Sequence, residues 1–365
     1  MAKTNEQIRN ILAQFQLSEK VIAAEPFGNG HINDTLKVID EQGKIHYVLQ
    51  RVNHQIFTNV DMLQRNIEIV TTHIRKKLEA RGEADIDRKV LTFLPTRDGK
   101  NYYFDGDSYW RVSLFIPRSK SYEEVTPELS FEAGRAFGDF QTMLSDLPEG
   151  TLGETIPDFH NMEFRLRQFQ EAVTTDPAGR AEEVKPLIEE IDRRAEAMCV
   201  QERLYRAGKL RKRVNHCDTK ANNILFDADS DKVLCVIDLD TVMPGFVLSD
   251  IGDFIRTGAN TGAEDDENLD RVGVNMEIFE AYTKGYMEKA KAFLTPTEIQ
   301  LLPYGGRLLT YMQTVRFLTD YLNGDTYYKI HSPKHNLVRT KAQFKLLQSL
   351  EERAEEMDRF MEQWL

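Results

Sequence analysis

Cysteine is scarce in this chain. Its 365 residues hold three, Cys199, Cys217 and Cys235, an odd number at spacings that match neither a zinc site nor a redox motif. A disulfide-stapled scaffold is thereby excluded, and a reducing cytoplasmic setting is expected. Long apolar runs are missing too. None approaches the roughly 20 residues of a membrane span, and Met1 to Gln7 lack the apolar core of a signal peptide. No membrane partner is expected. Positive charge is short, with 47 Lys and Arg against 59 Asp and Glu, for a formal net charge of -12. Nucleic acid recruits basic faces, so no nucleic-acid partner is expected either. There is no internal repeat and no low-complexity linker. The length suffices for two tightly joined compact units, while the oligomeric state is left open.

What the chain does have is one dense stretch. Val214 to Phe226 reads VNHCDTKANNILF, and Val233 to Asp240 reads VLCVIDLD. A His-x-Asp loop, an Asn five residues after the Asp, a β-rich run and a further acid are the metal and base half of a phosphoryl-transfer site. Such transfer asks the protein to hold Mg²⁺ on the phosphates and to orient the acceptor hydroxyl. Asp218 is the expected base, because a carboxylate in reach of a hydroxyl can align it and take its proton. Asn223 and Asp238 are the expected Mg²⁺ ligands, hard oxygen donors that leave room for phosphate and water. Ile224-Leu225-Phe226 and Val233 to Ile237 predict two short strands joined by the Asp227 to Lys232 turn. That hairpin would bring Asn223 and Asp238 to one ion. A zinc reading of His216, Cys217 and Asp218 fails on spacing, since alternate or adjacent loop positions seldom converge on one ion.

Taken in order, the chain predicts an entry helix from Asn5 to Phe15, then strands at Val21 to Glu25, Leu36 to Ile39 and Ile45 to Val52. Gly28 and Gly30 lie in the turn between the first two, where backbone amides can approach a phosphate. His31 and Asn33 beside them are candidates to face the acceptor. A helix from Asn59 to Glu79 carries Glu68 on its polar side, placed to pair with a cation that grips the nucleotide phosphates. Strands follow at Val90 to Leu94, Tyr102 to Phe104 and Tyr109 to Phe115. Phe115 and Ile116 form the expected hinge, whose backbone would meet the adenine edge. From Ser130 onward the pattern is mainly helical. Asp250 is expected to anchor the catalytic loop through its backbone amides or His216. Arg316, Asp320 and Tyr321 share one helix, as a local ion pair or as lining of the acceptor pocket. The expected class is α+β. Residues 1–117 form a small antiparallel-sheet nucleotide lobe with one main helix, and 118–365 a larger, mostly helical lobe for catalysis and acceptor binding.

These residues resemble the aminoglycoside phosphotransferase and choline kinase superfamily, which shares the protein-kinase-like bilobal fold. Longer strings, among them PFGNGHIN at 26–33, YVLQRVN at 47–53, IDLDTVMPG at 237–245, RFLTDYL at 316–322 and HNLVRT at 335–340, look like its bacterial N-acetylhexosamine 1-kinase branch. The resemblance covers nearly the whole chain. It implies phosphorylation of the anomeric hydroxyl of N-acetylglucosamine or N-acetylgalactosamine, with ATP and Mg²⁺. Asp218 matches the base, Asn223 and Asp238 the metal ligands, and Asp240 and Arg316 the sugar contacts. One departure stands out. The superfamily's phosphate-gripping Lys falls at Gln50, with Arg51 next, and Arg51 can replace it only if a bulge or twist turns it inward. The alternatives are a kinase for another small acceptor, such as an aminoglycoside, choline or homoserine, and a catalytically silent nucleotide-binding module.

Overall fold

The computed structural model describes residues 3–28 and 32–365, and the chain divides into two compact units. The first gathers 1–121, 146–157 and 224–243, and the second 122–145, 158–223 and 244–365. Segments 146–157 and 224–243, expected with the C-terminal lobe, thus cluster with the N-terminal residues.

The first unit is built on an antiparallel sheet. Its strand order is Ala23–Pro26, Asp34–Ile39, Ile45–Val52, Tyr109–Leu114 and Phe93–Leu94, with Tyr103–Phe104 also paired to Tyr109–Leu114. Alternation along these strands sends Tyr47, Leu49, Trp110 and Val112 to one face, where they bury against Ile8, Ile11 and Leu12. Those three belong to the helix Asn5–Leu12, opened by a capping box between Thr4 and Gln7. It is shorter than expected, as is the strand predicted over Val90 to Leu94. A 3₁₀ turn, Ile86–Arg88, precedes it, and its Ile86 carbonyl accepts the amides of Lys89 and Val90, so the strand starts only at Phe93.

The helix Val60–Ala80 starts at an Asn59 cap and buries Leu63, Ile67, Val70 and Ile74 at the predicted spacing. A second sheet joins Val233–Val236, Ile224–Asp227 and Ser119–Lys120. Its hairpin closes with the Asp227 amide donating to Lys232 O at 2.8 Å, and Val236 lies opposite Ile224.

The second unit is helical, with Pro127–Leu144, Met162–Thr175, Lys185–Met198, Val247–Gly258, Met276–Ala290, Pro296–Leu322 and His335–Glu352 as its main elements. Pro296–Leu322 is the helix that carries Arg316, Asp320 and Tyr321. A Thr295/Glu298 capping box and Pro296 in the first turn start it. The crossing that matters for the site is that of Val247–Gly258 on Pro296–Leu322. A Cβ at Gly252 would lie 2.2 Å from the Gly305 carbonyl oxygen, so only glycine permits this approach. Asp250 and Asp253 are carried on that same short helix. Among the described residues, no helix is long and apolar enough to cross a membrane.

Candidate active site

In the second unit the loop after the strand Arg213–Asn215 is held from beneath by one helix. Asp250, fully buried, accepts the amides of His216 at 2.8 Å and Cys217 at 2.7 Å. It also accepts from Gln141 Nε2 at 2.7 Å. This is the anchoring expected of it. Asp253 accepts the Thr219 amide at 3.0 Å and pairs with Arg256 at 2.9 Å, while the Thr219 hydroxyl donates to the Asp250 carbonyl. Cys217 turns the chain through a left-handed conformation, φ 64°. His216 sits buried with its ring edge-on to Phe137 and Phe140, at 5.5 and 5.8 Å. Its Nδ1 accepts the Asp218 amide at 3.3 Å. Burial pushes the Asp250 carboxyl up, against the pull of His216 and the amides it receives.

Asp218 emerges from this platform with two partners. Asn223 Nδ2 donates to the Asp218 carbonyl at 2.8 Å and to its carboxylate at 3.1 Å. Lys220 Nζ lies 2.8 Å from the other carboxylate oxygen. Burial alone would raise the Asp218 carboxyl, but the Lys220 ammonium, His216 and the Asn223 amide outweigh it, and the group is held below the usual carboxylate range. The reciprocal attraction raises Lys220. Because the Asn223 nitrogen faces two acceptors, its Oδ1 must turn the other way, free to serve as a hard ligand. That donor suits Mg²⁺.

Lys220 was absent from the sequence expectations, although a cation two residues after a proposed base was a legible signal. His160 was missed as well. It stacks on Phe159 at 4.4 Å, its buried Nδ1 has no partner among the described residues, and burial with Arg316 and Arg165 nearby keeps the ring neutral. It is close enough to feel both Arg316 and Asp218.

Arg316 lines a cavity of about 390 Å³ in the second unit, with Arg165, Thr175, Thr319, Asn323 and Tyr327 among its walls. Its guanidinium is surrounded by Phe159, Tyr327 and Tyr328, 5.2 to 5.8 Å from the ring centres. Asp320 lines the same cavity, while both it and Tyr321 also hold neighbouring segments. The Asp320 carboxylate accepts the amides of Thr326, Tyr327 and Tyr328 at 2.8 to 3.0 Å and Asn336 Nδ2 at 2.8 Å. Tyr321 is buried, with its hydroxyl on Glu183.

The first unit collects the remaining candidates. Asp238 follows the strand Val233–Val236 in a left-handed conformation, φ 59°, and two residues on, buried Asp240 is held from both sides. Its Oδ1 takes Arg111 Nη1 at 2.6 Å and its Oδ2 takes Asn33 Nδ2 at 2.5 Å. Arg111 Nε in turn donates to Gln50 Oε1 at 2.9 Å. Asn33 also accepts the Asn53 amide at 2.9 Å. The expected acceptor contacts Asn33 and Asp240 therefore bind each other.

Arg51 is a correction. The register runs without a shift through Gln50 and Arg51, so Arg51 stays on the face opposite Gln50 and pairs with Asp34. Glu68 is another. It is exposed and accepts from Asn101 Nδ2 at 2.8 Å, and no cation pairs with it among the described residues. The buried side chain of this helix face is Asn66, which donates to Gly153 O at 2.7 Å and Val242 O at 3.1 Å.

Gly28 takes φ 73° in its turn, whereas Gly30 and His31 lie outside the described residues. Phe115 meets Phe27 edge-on at 6.0 Å, and its amide donates to His46 O at 3.0 Å. The Ile116 carbonyl accepts the Ser119 hydroxyl at 2.7 Å.

Comparison with known proteins puts these features in a family. The model of the phosphotransferase enzyme family, APH, matches residues 23–285. Among solved structures, a spectinomycin phosphotransferase in complex with ADP and spectinomycin superposes with a TM-score of 0.62 at 13% identity, over 98% of this chain and all of that one, 100%. A choline/ethanolamine kinase family protein from Mesorhizobium loti gives 0.59 at 14%, over 98% and 99%. An aminoglycoside phosphotransferase from Alicyclobacillus acidocaldarius gives 0.58 at 12%, over 98% of each. The fold is that of these kinases, an antiparallel sheet unit with a helical one. The family match spans both the Gln50 strand and the Asp218 loop, and on that ground the chain belongs to the phosphotransferase enzyme family.

Proposed function

We propose that this phosphotransferase moves the γ-phosphoryl group of ATP to the anomeric hydroxyl of an N-acetylhexosamine, giving the sugar 1-phosphate and ADP. The observation that carries the reading is the state of Asp218, a carboxylate kept ionised by Lys220 and aimed by Asn223. Such a group can align an acceptor hydroxyl and take its proton as the phosphoryl group arrives. Mg²⁺, when bound, neutralises charge on the β- and γ-phosphate oxygens, and Asn223 Oδ1 with the Asp238 carboxylate are the donors assigned to it. Gly28 presents no side chain of its own where phosphates would approach, and Phe115 and Ile116 are the residues assigned to the adenine edge.

The acceptor assignment rests on the sugar-kinase-like strings, and the cavity at Arg316 supports it. Hydroxyl, amide and guanidinium groups line it, the donors and acceptors that a polyol with an amide carbonyl requires. A choline reading would need an empty aromatic cage. Three rings beside this cavity, Phe159, Tyr327 and Tyr328, already enclose the protein's own Arg316 guanidinium. That speaks against a quaternary ammonium acceptor.

The test is incubation with ATP, Mg²⁺ and N-acetylglucosamine or N-acetylgalactosamine, followed by product analysis. An acid-labile anomeric phosphate is expected, with turnover reduced by about 10²–10⁴ in Asp218→Asn. An acid-stable phosphate on another hydroxyl, or no sugar phosphate at all, would remove the sugar reading.

A further inference from the structure

The sheet of the first unit lacks a cation at Gln50, where the resemblance implies one, and Arg51 cannot supply it from the far face. Yet the strand beside Gln50 carries an arginine in direct register. Gln50 pairs with Arg111 across the Ile45–Val52 and Tyr109–Leu114 strands. Residues opposite each other in an antiparallel pair point to the same face, so the Arg111 side chain rises where a Lys at position 50 would have risen. We propose that Arg111 is the phosphate-gripping cation of this enzyme, displaced by one strand from its family position and aimed by Gln50 and Asp240. The inference rests on the ATP-dependent phosphotransfer reading given above.

Four observations carry it. Arg111 is almost completely buried, at 2% exposure, which is unusual for a guanidinium without a full set of partners. Gln50 Oε1 takes its Nε and Asp240 Oδ1 takes its Nη1, leaving three of the five N–H donors of an arginine without a protein acceptor among the described residues. Those donors form the planar fork that matches phosphate oxygens. The Phe93 ring lies 5.3 Å from the guanidinium carbon and fixes its plane. Asp240, the carboxylate that orients it, stands two residues beyond Asp238, the side chain assigned above to Mg²⁺.

Gln50 also has a reason to be neutral. A lysine there would place an ammonium against the Arg111 Nε, a like-charge contact within a buried sheet face. Glutamine offers an acceptor instead, and through its Nε2 bonds Thr35 at 3.2 Å. The side chain that looks like a loss in the sequence is thus a brace for the cation next to it. A plain structural salt bridge between Arg111 and Asp240 would tie the strand to the segment after Asp238, but it would treat adenosine and ATP alike. A phosphate grip would not.

The experiment measures binding of ATP, ADP and adenosine to the full chain at fixed Mg²⁺ by titration calorimetry, without any sugar. In Arg111→Met, ATP and ADP should bind roughly ten- to a hundred-fold more weakly, the loss of one or two charge-assisted hydrogen bonds. Adenosine should stay within about two-fold on the same reasoning. Adding Gln50→Lys to Arg111→Met returns a cation to the same face and should recover at least about ten-fold for ATP. Where Arg111→Met alone does not fold, Arg111→Met with Asp240→Asn avoids the buried unpaired carboxylate and should show the same ATP-selective loss. Unchanged ATP affinity, equal losses for ATP and adenosine, or no recovery by Gln50→Lys in a folded variant would overturn the role of Arg111. A wild-type chain that binds neither ATP nor ADP would overturn the phosphotransfer reading, and this one with it.

Discussion

Two buried aspartates do opposite kinds of work in this molecule. Asp250, in the helical unit, takes the amides of His216 and Cys217 besides Gln141 Nε2, so its partners are mainly main chain. Asp240, in the sheet unit, takes Arg111 and Asn33, so its partners are side chains. The difference teaches what each can tolerate. Main-chain donors survive every substitution but proline, so a loop shaped around a carboxylate depends on it. A side-chain network can lose both members of an ion pair and leave neither buried charge unpaired. The first arrangement fixes geometry, and the second can be exchanged part by part.

The largest expected effect breaks the first arrangement. Asp250→Ala should strand two buried amides and the Gln141 donor, destabilising the protein by roughly 3–5 kcal/mol, read as a drop in urea midpoint. No second substitution in the loop should restore it. The sheet unit gives the contrast. Asp240→Ala alone leaves a buried guanidinium and should destabilise by about 3 kcal/mol, whereas Asp240→Ala with Arg111→Met should be about 2 kcal/mol better than the single variant. Additive losses in that double-mutant cycle would erase the distinction drawn here.

The smallest effect concerns the acid that the platform presents. The Asp218 carboxyl is depressed in the folded protein, so its basic form persists as pH falls through the ordinary carboxylate range, and is lost only below it. The acid limb of kcat/KM should therefore lie lower than a free aspartate would place it. Lys220→Met removes the leading cause of the depression and should move that limb up by about one pH unit. A pH–rate profile that does not move would mean that Lys220 is a spectator.

Many of the helical unit's candidate residues could be read from spacing. His216, Asp218 and Asn223 lie within eight residues of one another, so their proximity in the chain was legible, while the hold of Asp253 on the loop that carries them was not. Asp250 was readable because an acid following a strand-and-turn segment has few other duties in such a place. The sheet unit was harder. Glu68 looked right by helical phase, but the face that is buried carries Asn66, and phase alone does not say which side a neighbouring segment will cover. Asp320 and Tyr321 sit among apolar residues on one helix. Their partners, Thr326 to Tyr328 and Glu183, come from segments whose positions no local pattern encodes.

By itself the sequence determined the chemistry of the loop, the alternation of the strands and the absence of a cation at position 50, because each depends on residues close together in the chain. Only the tertiary structure decided that Arg111 faces Gln50, that Arg51 faces away, and that Asp240 closes the network. Strand register and the return of 224–243 to the sheet unit are settled by burying one face of the sheet and satisfying its polar groups, a condition on the whole unit that no single stretch carries.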